Sequence, residues 1–129
     1  MADYIQKWTI VSPGTQEVYS KTFTGTSEYR LDEAIADSTT DQLIAASLDV
    51  SAIKAVEMMS DQDITVETNS SSSPTDTFVL QADVPYRWNT EMVAYDALLL
   101  TADVTALYLT NASGSTANIK MRVLSDATP

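Results

Sequence analysis

Apolar and polar residues alternate with period two along several stretches of this chain, the pattern of a strand with one face on a core and the other in water. In Asp63-Ile64-Thr65-Val66-Glu67-Thr68 the inward set is Ile64, Val66 and Thr68. In Thr77-Phe78-Val79-Leu80-Gln81-Ala82 it is Phe78, Leu80 and Ala82, and in Asn118-Ile119-Lys120-Met121-Arg122-Val123 it is Ile119, Met121 and Val123. Weaker alternation predicts further strands at 4–11, 17–24, 29–35, 84–88 and 105–111. Turn formers separate them. Pro13-Gly14 divides the first two, Gly25 ends the second, Asn69 to Pro74 is a serine-rich loop, and Ala112-Ser113-Gly114-Ser115 is expected to close a hairpin between the last two strands.

Residues 41–59 send a mixed signal. Their Ala, Leu, Lys, Glu and Met favour helix, and Asp41 could cap one. The apolar positions Leu43, Ile44, Leu48, Val50, Ile53, Val56 and Met58 nevertheless drift around a helical surface, and Asp49-Val50-Ser51 reads as a break. Two strands are expected there. Many short strands joined by short loops predict an all-β fold, an antiparallel two-sheet β-sandwich of jelly-roll type, because a single open sheet would leave one apolar face in water. The length of 129 residues suits one such domain over 1–129. Within it, residues 1–11 are expected to form an N-terminal arm or edge strand that pairs with another chain, since Tyr4, Trp8 and Ile10 offer apolar area near a free end.

Composition narrows the chemistry. Cysteine and histidine are absent, which removes disulfides, thiol nucleophiles, the usual zinc and haem ligands and the commonest general base. Seven basic against 18 acidic residues give a net charge of -11. The cations Lys7, Lys21, Arg30, Lys54, Arg87, Lys120 and Arg122 are scattered along the sequence, so nucleic acid is not an expected partner. No apolar run approaches the roughly 20 residues that cross a bilayer, and no signal or transit pattern is visible, so no membrane association is expected and the chain is expected to stay where it is made.

Motifs with chemical content are sparse. Glycine occurs only at 14, 25 and 114, which excludes the glycine-rich nucleotide loops. Ser51-Ala52-Ile53-Lys54 matches S-x-x-K, but its partner motifs are missing and the segment reads as strand. Asp61-Gln62-Asp63 suggests calcium, yet the loop lacks the glycine and the closing glutamate of an EF-hand and reads as a polar turn. Glu57, Glu67 and Glu91 have no spacing that would make a glycosidase pair. Asn69-Ser70-Ser71 and Asn111-Ala112-Ser113 fit the glycosylation pattern but read as turns. No catalytic residue, cofactor or metal ligand is assigned, and an enzyme is not expected. The residues left for partner contact are aromatic: Tyr4, Trp8 and Ile10 on one face of the first strand, and Tyr86, Arg87 and Trp88 in a short strand where core packing competes with an interface role.

The second half resembles small virion structural proteins of tailed bacteriophages, a group that includes head-decoration (cement) proteins. The resemblance runs from Leu43-Ile44-Ala45-Ala46-Ser47-Leu48-Asp49-Val50-Ser51 and Lys54-Ala55-Val56 through Ser60-Asp61-Gln62-Asp63-Ile64-Thr65-Val66-Glu67-Thr68-Asn69 to Pro85-Tyr86-Arg87-Trp88. It continues through residues 102–113 and Ala117-Asn118-Ile119-Lys120-Met121-Arg122-Val123-Leu124, covering about two thirds of the chain. It implies a capsid decoration protein on the outer surface of the phage head, bound to the major capsid protein and to copies of itself, a trimer being favoured, and stabilising the shell. The alternatives are a tail or neck module of the virion and a carbohydrate-binding sandwich displayed on the particle. The resemblance assigns no functional residue.

Overall fold

The computed structural model describes residues 2–126. The chain runs through β1 (Ala2–Ser12), β2 (Thr15–Gly25), β3 (Ser27–Ile35), β4 (Thr39–Leu48), β5 (Ile53–Ser60), β6 (Ile64–Thr68), β7 (Thr77–Leu80), β8 (Tyr86–Asn89), β9 (Val104–Asn111) and β10 (Ala117–Ser125), with short 3-10 turns at Val50–Ala52 and Thr90–Ala94. Each predicted strand is present, β7 ending and β8 starting closer in than the alternation suggested. Residues 41–59 are strand, turn and strand. The Asp49 carboxylate accepts from the Ser51 amide and hydroxyl and so caps the single short turn that separates the two strands.

Eight strands make two four-stranded antiparallel sheets, ordered β3-β10-β5-β8 and β4-β9-β6-β7. From β3 to β10, every connection except the β6 to β7 hairpin changes sheet, which is the interleaving of a jelly roll. The expected hairpin between the last two strands is therefore a correction: β9 pairs with β4 and β6, while β10 pairs with β3 and β5 in the opposite sheet. The physical reason is that both strands have an apolar face to bury, and the two faces meet across the sandwich. Asn111, fully buried, holds that crossing. Its Nδ2 donates to the carbonyls of Ile35, Ala36 and Ser115, and its Oδ1 accepts from Ser113.

The inward sets read from the alternation fill the core except in β7, where Phe78 is only partly buried and Ala82, beyond the end of the strand, is exposed. Ile64, Val66, Leu80, Ile119, Met121 and Val123 are all buried, joined by Val56, Met58, Leu107, Leu109 and Trp88. Each such side chain contributes about 1.5–3 kcal/mol on leaving water.

The acidic surplus is concentrated in the loops, where it closes turns. Asp37 accepts from the Gly114 amide, Asp49 from Ser51, Asp61 from Asn118, Asp63 from Ala82, Asp76 from Thr101 and Asp103 from Val50. Backbone amides that lie outside the ladders thereby find acceptors. Asn69, held at a positive φ of 70°, does the same for Thr105. Both sequons thus serve as turn fasteners.

Candidate interaction surface

β1 and β2 form a separate two-stranded sheet that leaves the sandwich as a hairpin. They pair antiparallel without a register shift from Ala2 opposite Gly25 to Ser12 opposite Thr15. Pro13-Gly14 makes the turn, with Gly14 at φ 82°, a conformation costly for a residue with a Cβ. Residues 1–11 were expected to form an arm or edge strand pairing with another chain. In the structure β1 pairs with the chain's own β2, and the two together form the extension.

The base of the hairpin is seated on the outer face of the β3-β10-β5-β8 sheet. Tyr4 and Phe23, directly opposite each other, pack with Ala55 and Leu124. Gly25 allows this approach, because a Cβ there would lie 2.5 Å from the Ser125 carbonyl oxygen. Gln6 is the polar centre of the seat. Only 1% exposed, it donates to the carbonyls of Trp88 (3.3 Å) and Val56 (3.5 Å) and accepts from Asn89 at 2.8 Å. A buried amide satisfied on both ends positions the hairpin more sharply than apolar packing alone. The Tyr4 hydroxyl, by contrast, is buried without a hydrogen-bond partner among the described residues, and burial with the nearby Glu28 carboxylate pushes its pKa up to about 12.

One residue further out, Arg87 clamps the hairpin. Its Nε donates to Glu57 at 2.6 Å, its Nη1 donates to the Lys7 carbonyl at 2.6 Å, and its guanidinium lies 5.2 Å from the Trp8 ring centre. Lys21 adds an exposed ion pair with Glu91 at 3.2 Å. Beyond these contacts both faces of the hairpin are open. One carries Trp8, Ile10 and Tyr19 around a shallow depression of about 300 Å³; the other carries Ile5, Val11 and Val18. Ile5, Ile10, Val18 and Tyr19 are all more than half exposed, and Val11 is 72% exposed.

The expected contact residues thus separate. Trp8 and Ile10 stand on the open face, Arg87 stands beside them, and Tyr4 belongs to the seat. Tyr86 is half-buried against the core, its hydroxyl accepting from the Leu99 amide. Trp88 corrects the expectation: it is 6% exposed, its Nε1 donates to the Asp96 carbonyl, and it presents nothing to a partner. The reason is strand alternation, which turns Arg87 outward and both flanking aromatics inward. Gln6, Tyr19, Val11 and Val18 were missed. The alternation of β2 is weak because both of its faces meet water, which also hid its apolar residues.

A second correction concerns charge. Four of the seven cations, scattered along the chain, meet on one sheet face. Arg30, Arg122 and Arg87 share one row across the outer face of the β3-β10-β5-β8 sheet, with Glu57 between the last two and Lys120 in the next row. Acidic neighbours offset them. Arg122 Nη2 donates to both oxygens of Asp32, at 2.9 and 3.0 Å, and Arg30 pairs with Glu28 at 3.4 Å. Glu57 and Glu67 lie on the outer faces of opposite sheets and cannot act as an acid and base pair. A further open depression of about 410 Å³, lined among others by Asp63, Thr65, Thr110 and Ser113, contains no aromatic ring for stacking. Among the described residues no three acidic side chains converge as a metal site.

No protein-family model matches the sequence, and neither the curated proteins nor the solved structures yield a match.

Proposed function

We propose that this protein is a non-enzymatic structural module that works by contact area, and that its setting is the outer surface of a tailed-phage head, where it decorates and stabilises the shell. The observation that carries the contact role is the hairpin. Its outer half contributes nothing to the sandwich core, yet it holds apolar side chains in water on both faces, an arrangement that suits a partner. The setting rests on the sequence resemblance, and a jelly roll, a fold used by viral capsid and lectin domains, agrees with it by analogy. The partners in this reading are the major capsid protein and further copies of the chain, with no nucleic acid, membrane or cofactor. A ligand that binds only the assembled shell stabilises it by RT ln(1 + [L]/Kd) per site, about 2.7 kcal/mol at 100 times Kd.

The test adds purified protein to shells lacking it and follows co-sedimentation and DNA release against temperature. Saturable binding with a raised release temperature is expected. Saturated binding without that rise removes the cementing role, and no binding removes the setting. The directly opposed Trp8 and Tyr19 favour one second reading, a sugar-stacking platform, which a silent glycan array would eliminate.

A further inference from the structure

Sheet edges invite pairing, and the sandwich blunts all four of its own. β7 and β8 are only four residues long. β4 is broken by two register shifts, and β3 carries Glu28, Arg30, Asp32 and Glu33. These are the usual protections against edge-to-edge association. The hairpin has neither the shortness nor the breaks, and each of its strands carries two charges against the four of β3. β1 and β2 run 11 residues each in unbroken register, with no proline and with Asp3, Lys7, Glu17 and Lys21 as their charges. In a hairpin closed by a two-residue turn, hydrogen-bonded and non-hydrogen-bonded pairs alternate from the turn outward, so the amides of Thr9, Val11, Val18 and Ser20 point away from the partner strand. Those groups are a template for another strand.

Charge selects the occupant. The hairpin is neutral, two cations against two anions, so the whole net charge of -11 lies on the rest of the chain. Copies approaching body to body would meet like charge, whereas copies approaching through their hairpins would not. Side chains agree: exposed apolar residues stand on both faces of the hairpin, Trp8, Ile10 and Tyr19 on one and Ile5, Val11 and Val18 on the other, so strands joined along an edge would bring apolar rows together on each side.

We infer that the hairpin's partner is a second copy of this chain, with β1 of one molecule pairing antiparallel beside β2 of the next. This rests on the reading of the hairpin as a contact device but not on the shell. A two-fold pair would leave one edge of each hairpin open, while a closed ring uses both, and three hairpins suffice for a small six-stranded closure.

The test uses the full chain without shells. Sedimentation equilibrium of the wild type at micromolar to hundred-micromolar concentration should give a multiple of 14.0 kDa. Val11→Lys with Val18→Lys, both at exposed positions, should raise the dissociation constant at least about a hundredfold while far-UV circular dichroism stays unchanged. Hydrogen exchange guards against a folding artefact: in the wild type, amides of residues 9–20 should slow on raising the concentration, while those of β5 and β10 stay constant. A 14.0 kDa wild type, an oligomer indifferent to the double substitution, or exchange independent of concentration would each overturn the inference. Monomers that still bind shells through the hairpin would overturn it while leaving the decoration role standing.

Discussion

The sandwich and the hairpin are built from the same kind of strand and obey opposite rules. In the sandwich each strand buries one face, and its interior positions such as Val66, Leu109 and Val123 are fully enclosed. In the hairpin the strands are longer, 11 residues against the eight of β5 or β9, yet beyond Trp8 neither face is covered. An isolated two-stranded hairpin is marginally stable in water. This one is held at its base by Gln6, Phe23 and Arg87, so its outer half has the sandwich's regularity without its enclosure. Strand length and register therefore do not locate the stability of this molecule; burial does.

The largest effect belongs to a truncation in the sandwich. Leu109→Ala, at a fully buried position, should cost about 2–5 kcal/mol in denaturant unfolding. A cost below 1 kcal/mol would mean that the sandwich is no better packed than the hairpin. At the boundary between the two, Gln6→Leu leaves the Asn89 amide and the Val56 and Trp88 carbonyls without their partner, and should cost about 1–3 kcal/mol. It should also speed hydrogen exchange in β1 and β2 without affecting β9. Equal acceleration in both would show that seat and sandwich open as one unit.

A pH effect separates the seat in another way. The folded pKa of Tyr4 is raised to about 12 from 10.0, so its contribution to stability is fully present below pH 10 and is lost as pH rises toward 12. Tyr4→Phe should not lower neutral stability, since among the described residues the hydroxyl has no partner to lose, and should flatten the alkaline limb between pH 10 and 12. Parallel alkaline limbs for the two proteins would contradict this. The smallest effect belongs to the outer hairpin: Val18→Thr should change unfolding free energy, measured on the dissociated chain, by no more than about 0.5 kcal/mol. A larger loss would mean that the hairpin tip supports the sandwich.

The sequence alone determined the strands and their faces, because period-two alternation is a local property: the inward residues of β6 and β10 could be read residue by residue, and those of β7 as far as Leu80, where the strand ends. It also determined the all-β class and the break at Asp49-Val50-Ser51. Tertiary structure decided which strands are neighbours. Alternation identifies the face a strand must bury but not the face that meets it, so β9 and β10 read as a hairpin and became opposite layers of the core. For the same reason the scattered cations became a row, since Arg30, Arg87 and Arg122 share a face only through strand pairing. Trp88 and Trp8 look alike in sequence, each an aromatic in a short alternating stretch. One is enclosed beneath the second sheet and the other stands over Arg87 at the start of an open face, because burial is a property of what lies opposite a residue and not of the residue itself.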